Sequence, residues 1–380
     1  MSAPDITDAE IDAVVRVLRS DRLSLGPRVA EFEELAAACV GARHAIAVSS
    51  GTAALHLATI AAGIGAGDLA ITTPFSFVAS ANCLLYEGAE PVFVDVDPVT
   101  GNIDPARVAE QAAVIANGPK AGRLKALIPV HTFGQAADMD PLCAVAREHG
   151  LAVIEDACEA IGTTYRGRPV GSLGDVGAFA FYPNKQMTTG EGGMLVTSRE
   201  EWKPLFHSLR NQGRDSVDAW LAHSRLGYNY RLDEMSGALG AVQLLRLDEL
   251  LAKRGQVADW YMERLASHGD LVQCPAIVDD TTRMSWFVYV VRVPRPVDRD
   301  SLMRALEERG IPSRAYFAPI HLQPFYRARF GFQPGDYPVA EDLGRRSLAL
   351  PFSSLMSEAH VEIVCRELLD ELRGQLARGG

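Results

Sequence analysis

Short, near-continuous apolar runs recur through the first two thirds of the chain, at residues 45–48, 69–73, 92–94, 126–130, 151–154, 176–181 and 194–197. Runs of this length, bounded by polar or glycine-rich stretches, predict strands buried on both faces. Between many of them, at 52–62, 76–87, 104–116 and 141–149, apolar residues return with helical spacing. Strand and helix in alternation predict an α/β domain with a mostly parallel sheet. Ahead of it, Thr7-Asp8-Ala9-Glu10 is a capping-box pattern, and Ile11, Val14, Val15 and Leu18 follow at helical spacing. The stretch 23–27 (LSLGP) breaks the chain before a second helix over about 28–39.

Past Asn229 the texture changes. Residues 231–267 read as two helical stretches, 287–293 (FVYVVRV) as a strand, 301–309 as a helix and 357–372 as a final amphipathic helix. The pattern predicts a large domain over 1–245 and a smaller α+β domain over 246–380.

Composition narrows the classes. With 380 residues, 48% hydrophobic and 22% charged, the chain has a globular composition and can bury a large core. A formal net charge of -11 without a lysine-arginine cluster argues against a nucleic-acid partner, since phosphate neutralisation needs a basic face. No apolar run is long enough to span a membrane, and the acidic start MSAPDITDAEID lacks a signal-peptide core. Six cysteines lie scattered without metal-ligand spacing, which predicts reduced packing residues, no metal site and a cytoplasmic protein.

The chemistry centres on residues 179–193, FAFYPNKQMTTGEGG. Lys185 stands between two buried runs, just past the turn signal Tyr182-Pro183-Asn184. Desolvation there favours a neutral amine, which is a nucleophile able to form an imine. Val48-Ser49-Ser50-Gly51-Thr52 runs from strand through glycine into helix, an anion site suited to one phosphate. Asp156 follows a buried strand, where a carboxylate can keep a heterocyclic nitrogen protonated. Phe77, after another strand, can stack on a planar ring. Leu226-Gly227-Tyr228-Asn229-Tyr230-Arg231 is a polar and aromatic knot ahead of a helix. Each has an ordinary structural reading, as a helix cap or a core aromatic. Together they are the parts that hold pyridoxal 5′-phosphate: phosphate cradle, aromatic plate, carboxylate and imine-forming lysine.

The segments LGPRVAEFE, AVSSGTAALHLA, TTPFSFVASANCLLYEGAEPVFVDVD, PVHTFGQAADM, VIEDACEAIGTTY, FYPNKQMTTGEGGMLVT and LGYNYRLDEMSGALGAVQL stand in order along nearly the whole chain. So do RAYFAPIHLQPFY and PVAEDLGRRSLALPF. In these segments the sequence resembles the DegT/StrS family of pyridoxal-phosphate sugar aminotransferases. The resemblance implies a fold-type-I transferase with a seven-stranded large domain, a small C-terminal domain and a homodimer with shared active sites. By position, Lys185 is the imine-forming lysine, Asp156 pairs with the pyridine nitrogen, Gly51 and Thr52 form the phosphate turn, and Phe77 stacks on the ring. Asn229 matches the residue that reaches the phosphate in the partner subunit, and Tyr316 and His321 match a small-domain segment near the substrate.

Two positions depart from the family pattern. Five residues before Lys185 many members carry a phosphate-binding serine; here it is Ala180. Three residues after Asp156 many carry Gln or His against the ring hydroxyl; here it is Glu159, a carboxylate that must be protonated or find a cation. Lysine rather than histidine at 185 separates the chain from a related dehydrating branch. The resemblance implies amino transfer from L-glutamate to a keto group of a nucleotide-linked keto-deoxy sugar, for polysaccharide or glycosylated-metabolite synthesis. The tail TTGEGG is similar to members acting at C4. The alternatives are a keto-cyclitol or C3 keto-sugar substrate and, from another class, a non-catalytic regulator that binds the cofactor.

Overall fold

The computed structural model describes residues 2–215 and 222–379. Each of the seven apolar runs forms a strand, and the seven make one sheet. In chain order the strands are β1 (His44–Val48), β2 (Leu69–Thr72), β3 (Glu90–Phe93), β4 (Leu124–Ile128), β5 (Ala152–Asp156), the short β6 (Thr164–Tyr165) and β7 (Arg168–Pro169), β8 (Val176–Ala180) and β9 (Gly193–Thr197). The large sheet is ordered β1-β9-β8-β5-β4-β2-β3. Strand β9 runs antiparallel to both β1 and β8, and the remaining pairs are parallel. Reversal of β9 has a local consequence. The C-terminal ends of β1, β2, β4, β5 and β8 and the entry into β9 all meet at one edge, where an open α/β sheet places its ligands.

The sheet is buried on both faces, which is why its strands read as continuous apolar runs. One face carries Leu127, Met194 and Val196, packed in one core with Phe32 of the helix Pro27–Val40 and Leu244 of the helix Glu234–Leu245. The other carries Ile154 and Leu195, packed with Leu55 and Leu57 of the helix Gly51–Ala61 and Phe206 of the helix Trp202–Arg210. The N-terminal capping box forms as read: the Glu10 carboxylate accepts from the Thr7 N–H at 2.9 Å and pairs with Arg246 at 2.6 Å.

Strand β10 (Thr281–Arg283) joins β6 and β7 in a small sheet, and β11 (Tyr289–Arg292) pairs antiparallel with β12 (Ser347–Leu350). A second core of Val257, Tyr261, Tyr289, Val291, Leu302, Leu348 and Leu368 gathers around this pair. The helix Leu247–Leu265 serves both cores, giving Leu247, Leu250 and Leu251 to the first and Val257, Tyr261 and Leu265 to the second. Between them its buried Arg254 donates to the carbonyls of Trp286 and Phe287, each at 2.7 Å.

Two elements are shorter than their apolar patterns. The strand expected over 287–293 starts at Tyr289, because Trp286 takes a positive φ of 52° and the Phe287 N–H goes to the Phe133 carbonyl. The helix expected from 76 starts at Ala79, leaving Phe77 in the preceding turn with its ring exposed. Among the described residues no helix is long and apolar enough to cross a membrane, and no cluster of His, Cys, Asp or Glu is placed to hold a metal ion.

Candidate active site

The strand ends surround a cavity of about 360 Å³. Lys185 enters it from the turn after β8, where its N–H bonds to the Tyr182 carbonyl at 2.9 Å. Its Nζ lies 3.9 Å from the centroid of the Phe287 ring and 3.7 Å from Glu159 Oε1. Side-chain exposure is only 13% for Lys185 and 8% for Glu159, so the pair interacts with little solvent screening.

Asp156 is the last residue of β5. Its backbone continues the ladder to the next connection, donating to the Pro129 carbonyl and accepting from the His131 N–H. That pins the strand end and aims the carboxylate at the cavity. Ser80 donates to Asp156 Oδ2 at 2.7 Å, and the Cys158 N–H to Oδ1 at 3.2 Å.

The Ser50-Gly51-Thr52 turn lies at the N-terminus of the helix Gly51–Ala61, where the first amides have no partner inside the helix, a place suited to an anion. Ser50 caps it by accepting from the Ala53 N–H at 3.1 Å. Backbone packs here at distances only glycine permits. A β-carbon on Gly51 would meet Ala180 Cβ at 2.7 Å and Cys158 Sγ at 2.8 Å, and one on Gly193 would meet the Ser50 carbonyl oxygen at 2.3 Å. Gly51, Thr52 and Ala180 all line the cavity, and the Ala180 methyl offers no donor there.

Glu159 reaches the cavity from the loop after β5. Phe133, held at a positive φ of 60°, turns its N–H onto Glu159 Oε2 at 3.0 Å. Burial pushes the Glu159 carboxyl above the usual range, while the neighbouring Lys185 charge and the Phe133 N–H pull the other way. Tyr316 also lines the cavity, its ring edge-on to Phe133 and Phe287. Burial, with the Glu159 charge adding to it, raises its phenol to about 12, so the hydroxyl keeps its proton. Past Phe77 and Phe317 the cavity adjoins a wider depression of about 820 Å³ along Tyr86, Phe325 and Arg329.

The structure thus brings together Gly51, Thr52, Phe77, Asp156, Glu159, Lys185 and Tyr316. It does not bring His321 with them. That ring is fully buried away from the cavity, bonded to Glu341 at 3.1 Å and packed on Tyr337. Nor does Asn229 line its own chain's cavity: its side chain is exposed, and its backbone bridges to Asn211. Ser80 and Phe287 went unread in the sequence. Ser80 looked like one more small residue in a helix. Phe287 looked like a core strand position, and nothing local marks its approach to Lys185 across 102 residues (287 − 185).

The sequence of residues 4–369 matches the DegT/DnrJ/EryC1/StrS aminotransferase family. This chain belongs to that family. It is 40% identical to the spore coat polysaccharide biosynthesis protein SpsC of Bacillus subtilis, over 98% of this chain and 97% of that one. It is also 40% identical to GDP-perosamine synthase of Caulobacter vibrioides, over 97% and 96%. In structure it is similar to a DegT DnrJ EryC1 StrS aminotransferase of Brucella abortus, with a TM-score of 0.86 and 35% identity over 95% of this chain and 94% of that chain. The chain is a sugar aminotransferase dependent on pyridoxal 5′-phosphate, the cofactor of this family. The cavity fits that group. Gly51 and Gly193 leave open a cradle that side chains would fill, Asp156 is a fixed carboxylate, and Lys185 is the one lysine among the described residues of the lining. Asn184 Oδ1, also in the wall, is buried without a hydrogen-bond partner among the described residues, an acceptor a bound ligand can satisfy.

Proposed function

We propose that the enzyme moves the amino group of L-glutamate to the C4 keto group of a nucleotide-linked keto-deoxy sugar, as a cytoplasmic homodimer with shared sites. The observation that carries this reading is the pairing of spaces. The cavity around Lys185 and Asp156 shares Phe77 and Phe317 as a wall with the larger depression, which has room for the rest of a long substrate. The names of the relatives, a GDP-sugar enzyme and a polysaccharide biosynthesis protein, support a nucleotide-linked sugar and a polysaccharide end use.

Bound here, pyridoxal phosphate supplies an electrophilic carbon that takes amines and a ring that accepts the electron pair left by a departing proton. The amides at the start of the helix Gly51–Ala61, with the Thr52 hydroxyl, would hold its phosphate, and Asn229 of a second copy would complete that site. Asp156, oriented by Ser80 and the Cys158 amide, would hold a proton on the ring nitrogen. Phe77 would cover one face of the ring. Lys185, as the neutral amine, would be the group that holds the cofactor, and once free its Nζ would carry a proton to and from the reacting carbon. Phe287, Phe317 and Tyr316 wall off water on the small-domain side.

The test is an absorbance spectrum of the purified protein before and after L-glutamate, with Lys185→Ala in parallel, followed by a panel of nucleotide-linked keto sugars with products identified by mass. The reading requires a glutamate-dependent change in the wild type alone and amination of a 4-keto-6-deoxy sugar. Turnover only of a keto-cyclitol or a 3-keto sugar would replace the substrate assignment. Absence of any glutamate-dependent change would remove the donor.

A further inference from the structure

Glu159 is a buried carboxyl in the wall of the cavity. As a carboxyl it needs a proton or a cation. The cation within reach is Lys185, with Nζ 3.7 Å from Glu159 Oε1. The opposite oxygen, Oε2, is tied to the Phe133 N–H, so the carboxyl is anchored at one end and offers the other to the lysine. Phe287 lies under the same Nζ at 3.9 Å, a ring face that also favours the ammonium. Asp156, Cys158, Tyr316 and Glu191 face the same cavity. Of these, the Cys158 thiol and the Tyr316 phenol are held protonated by burial, and Asp156 is engaged by Ser80.

We propose that Glu159 is a positioning residue for Lys185 that exchanges one proton with it in step with the reaction. With Lys185 free, the proton rests on Nζ, and Glu159 is the carboxylate facing the ammonium. When Nζ bonds to the cofactor it must shed that proton to act as a nucleophile. The proton passes to Glu159 Oε1, and the neutral amine would then bond the cofactor carbon, displacing water when the cofactor is loaded and the product amine during turnover, while the carboxyl stays neutral. No oxidant or co-reactant is needed: one proton moves from nitrogen to oxygen and returns when Lys185 is released. A buried carboxyl beside a group that alternates between ammonium and neutral nitrogen favours this coupling, because isolated charge is costly there while the ion pair is not. The inference rests on Lys185 being the residue that bonds to the cofactor.

Infrared difference spectroscopy reads the proton directly. The protein is loaded once with pyridoxal phosphate and once with pyridoxamine phosphate, so that no amino donor or sugar is required. A carboxylic-acid C=O band should be present in the first form and lost in the second. Glu159→Gln should lack the change, and Glu159→Asp should keep it at a shifted frequency, which also covers the case in which the glutamine variant folds poorly. The same band change in Glu159→Gln, or no change in the wild type, would overturn the proposal. Failure of the lysine assignment looks different: Lys185→Ala would then show the wild-type visible spectrum with pyridoxal phosphate.

Discussion

Ser80 donates a 2.7 Å hydrogen bond to Asp156 Oδ2, joining the helix Ala79–Tyr86 to the end of β5. Both groups are buried, so the bond sets the direction in which the carboxylate faces the cavity. Replacing Ser80 by Ala leaves that oxygen short of a donor, at about 1–2 kcal/mol. We expect Ser80→Ala to lose cofactor more readily and to lower kcat about tenfold, with folding retained. Cofactor retention by gel filtration with absorbance, together with steady-state rates, checks it. Unchanged retention and rate would mean that the Cys158 amide alone orients Asp156.

Ala180 forms the wall across from Gly51 and supplies no polar group. Ala180→Ser adds one hydroxyl beside the phosphate turn. Tighter cofactor binding is expected, by about 0.5–1.5 kcal/mol, the worth of one added hydrogen bond. Titration of the cofactor-free protein with pyridoxal phosphate measures it, and weaker binding would show that the hydroxyl is not accommodated at the cradle.

Gly193→Ala would press a methyl into the Ser50 carbonyl at 2.3 Å and the Gly51 nitrogen at 2.7 Å. Both are backbone atoms, so the strand entry or the phosphate turn must move. A loss of about 1–3 kcal/mol is expected from overpacking of this kind, with cofactor affinity falling alongside. Chemical denaturation and cofactor titration read the two effects separately.

The N-terminal helix predicts a pH dependence. Burial alone would raise the Glu10 carboxyl, but hydrogen bonds from Thr7, Arg246 and Gln243 bring it down from 4.5 to about 2. Asp5 is likewise lowered against its burial by Arg246 and Lys253. A carboxyl with a folded-state value below its unfolded one stabilises the fold fully above the unfolded value. That contribution is lost as pH falls through about 4.5 toward about 2. Acid unfolding of Glu10→Gln should therefore show a flatter dependence in this window than the wild type. Identical slopes would locate the acid-sensitive groups elsewhere.

Much of the fold was legible because burial on both faces leaves a local mark. Residues 126–128 and 194–196 are apolar at consecutive positions, and packed side chains cover the sheet on both sides of each. Helix caps were legible for the same reason: Thr7 with Glu10, and Ser50 before Gly51, act within one turn of chain. Where neighbours in space are distant in sequence, the pattern misleads. The apolar run at 287–293 is continuous, yet a positive φ at Trp286 and a bond from Phe287 to Phe133 delay the strand. His321 stands in a segment that resembles a substrate site, yet Glu341 and Tyr337 draw it into the core of the molecule.

Sequence alone determined the element types, the family and which residues carry reactive groups, since side-chain identity and periodicity are local properties. Tertiary structure decided what each group faces. Reversal of β9 brings Gly193 against Ser50, the helix Leu247–Leu265 fixes Phe287 through Arg254, and the loop after β5 sets Glu159 beside Lys185. Those distances depend on packing between segments tens to hundreds of residues apart, and desolvation and charge pairing, which set the reactivity of Lys185 and Glu159, follow from the distances.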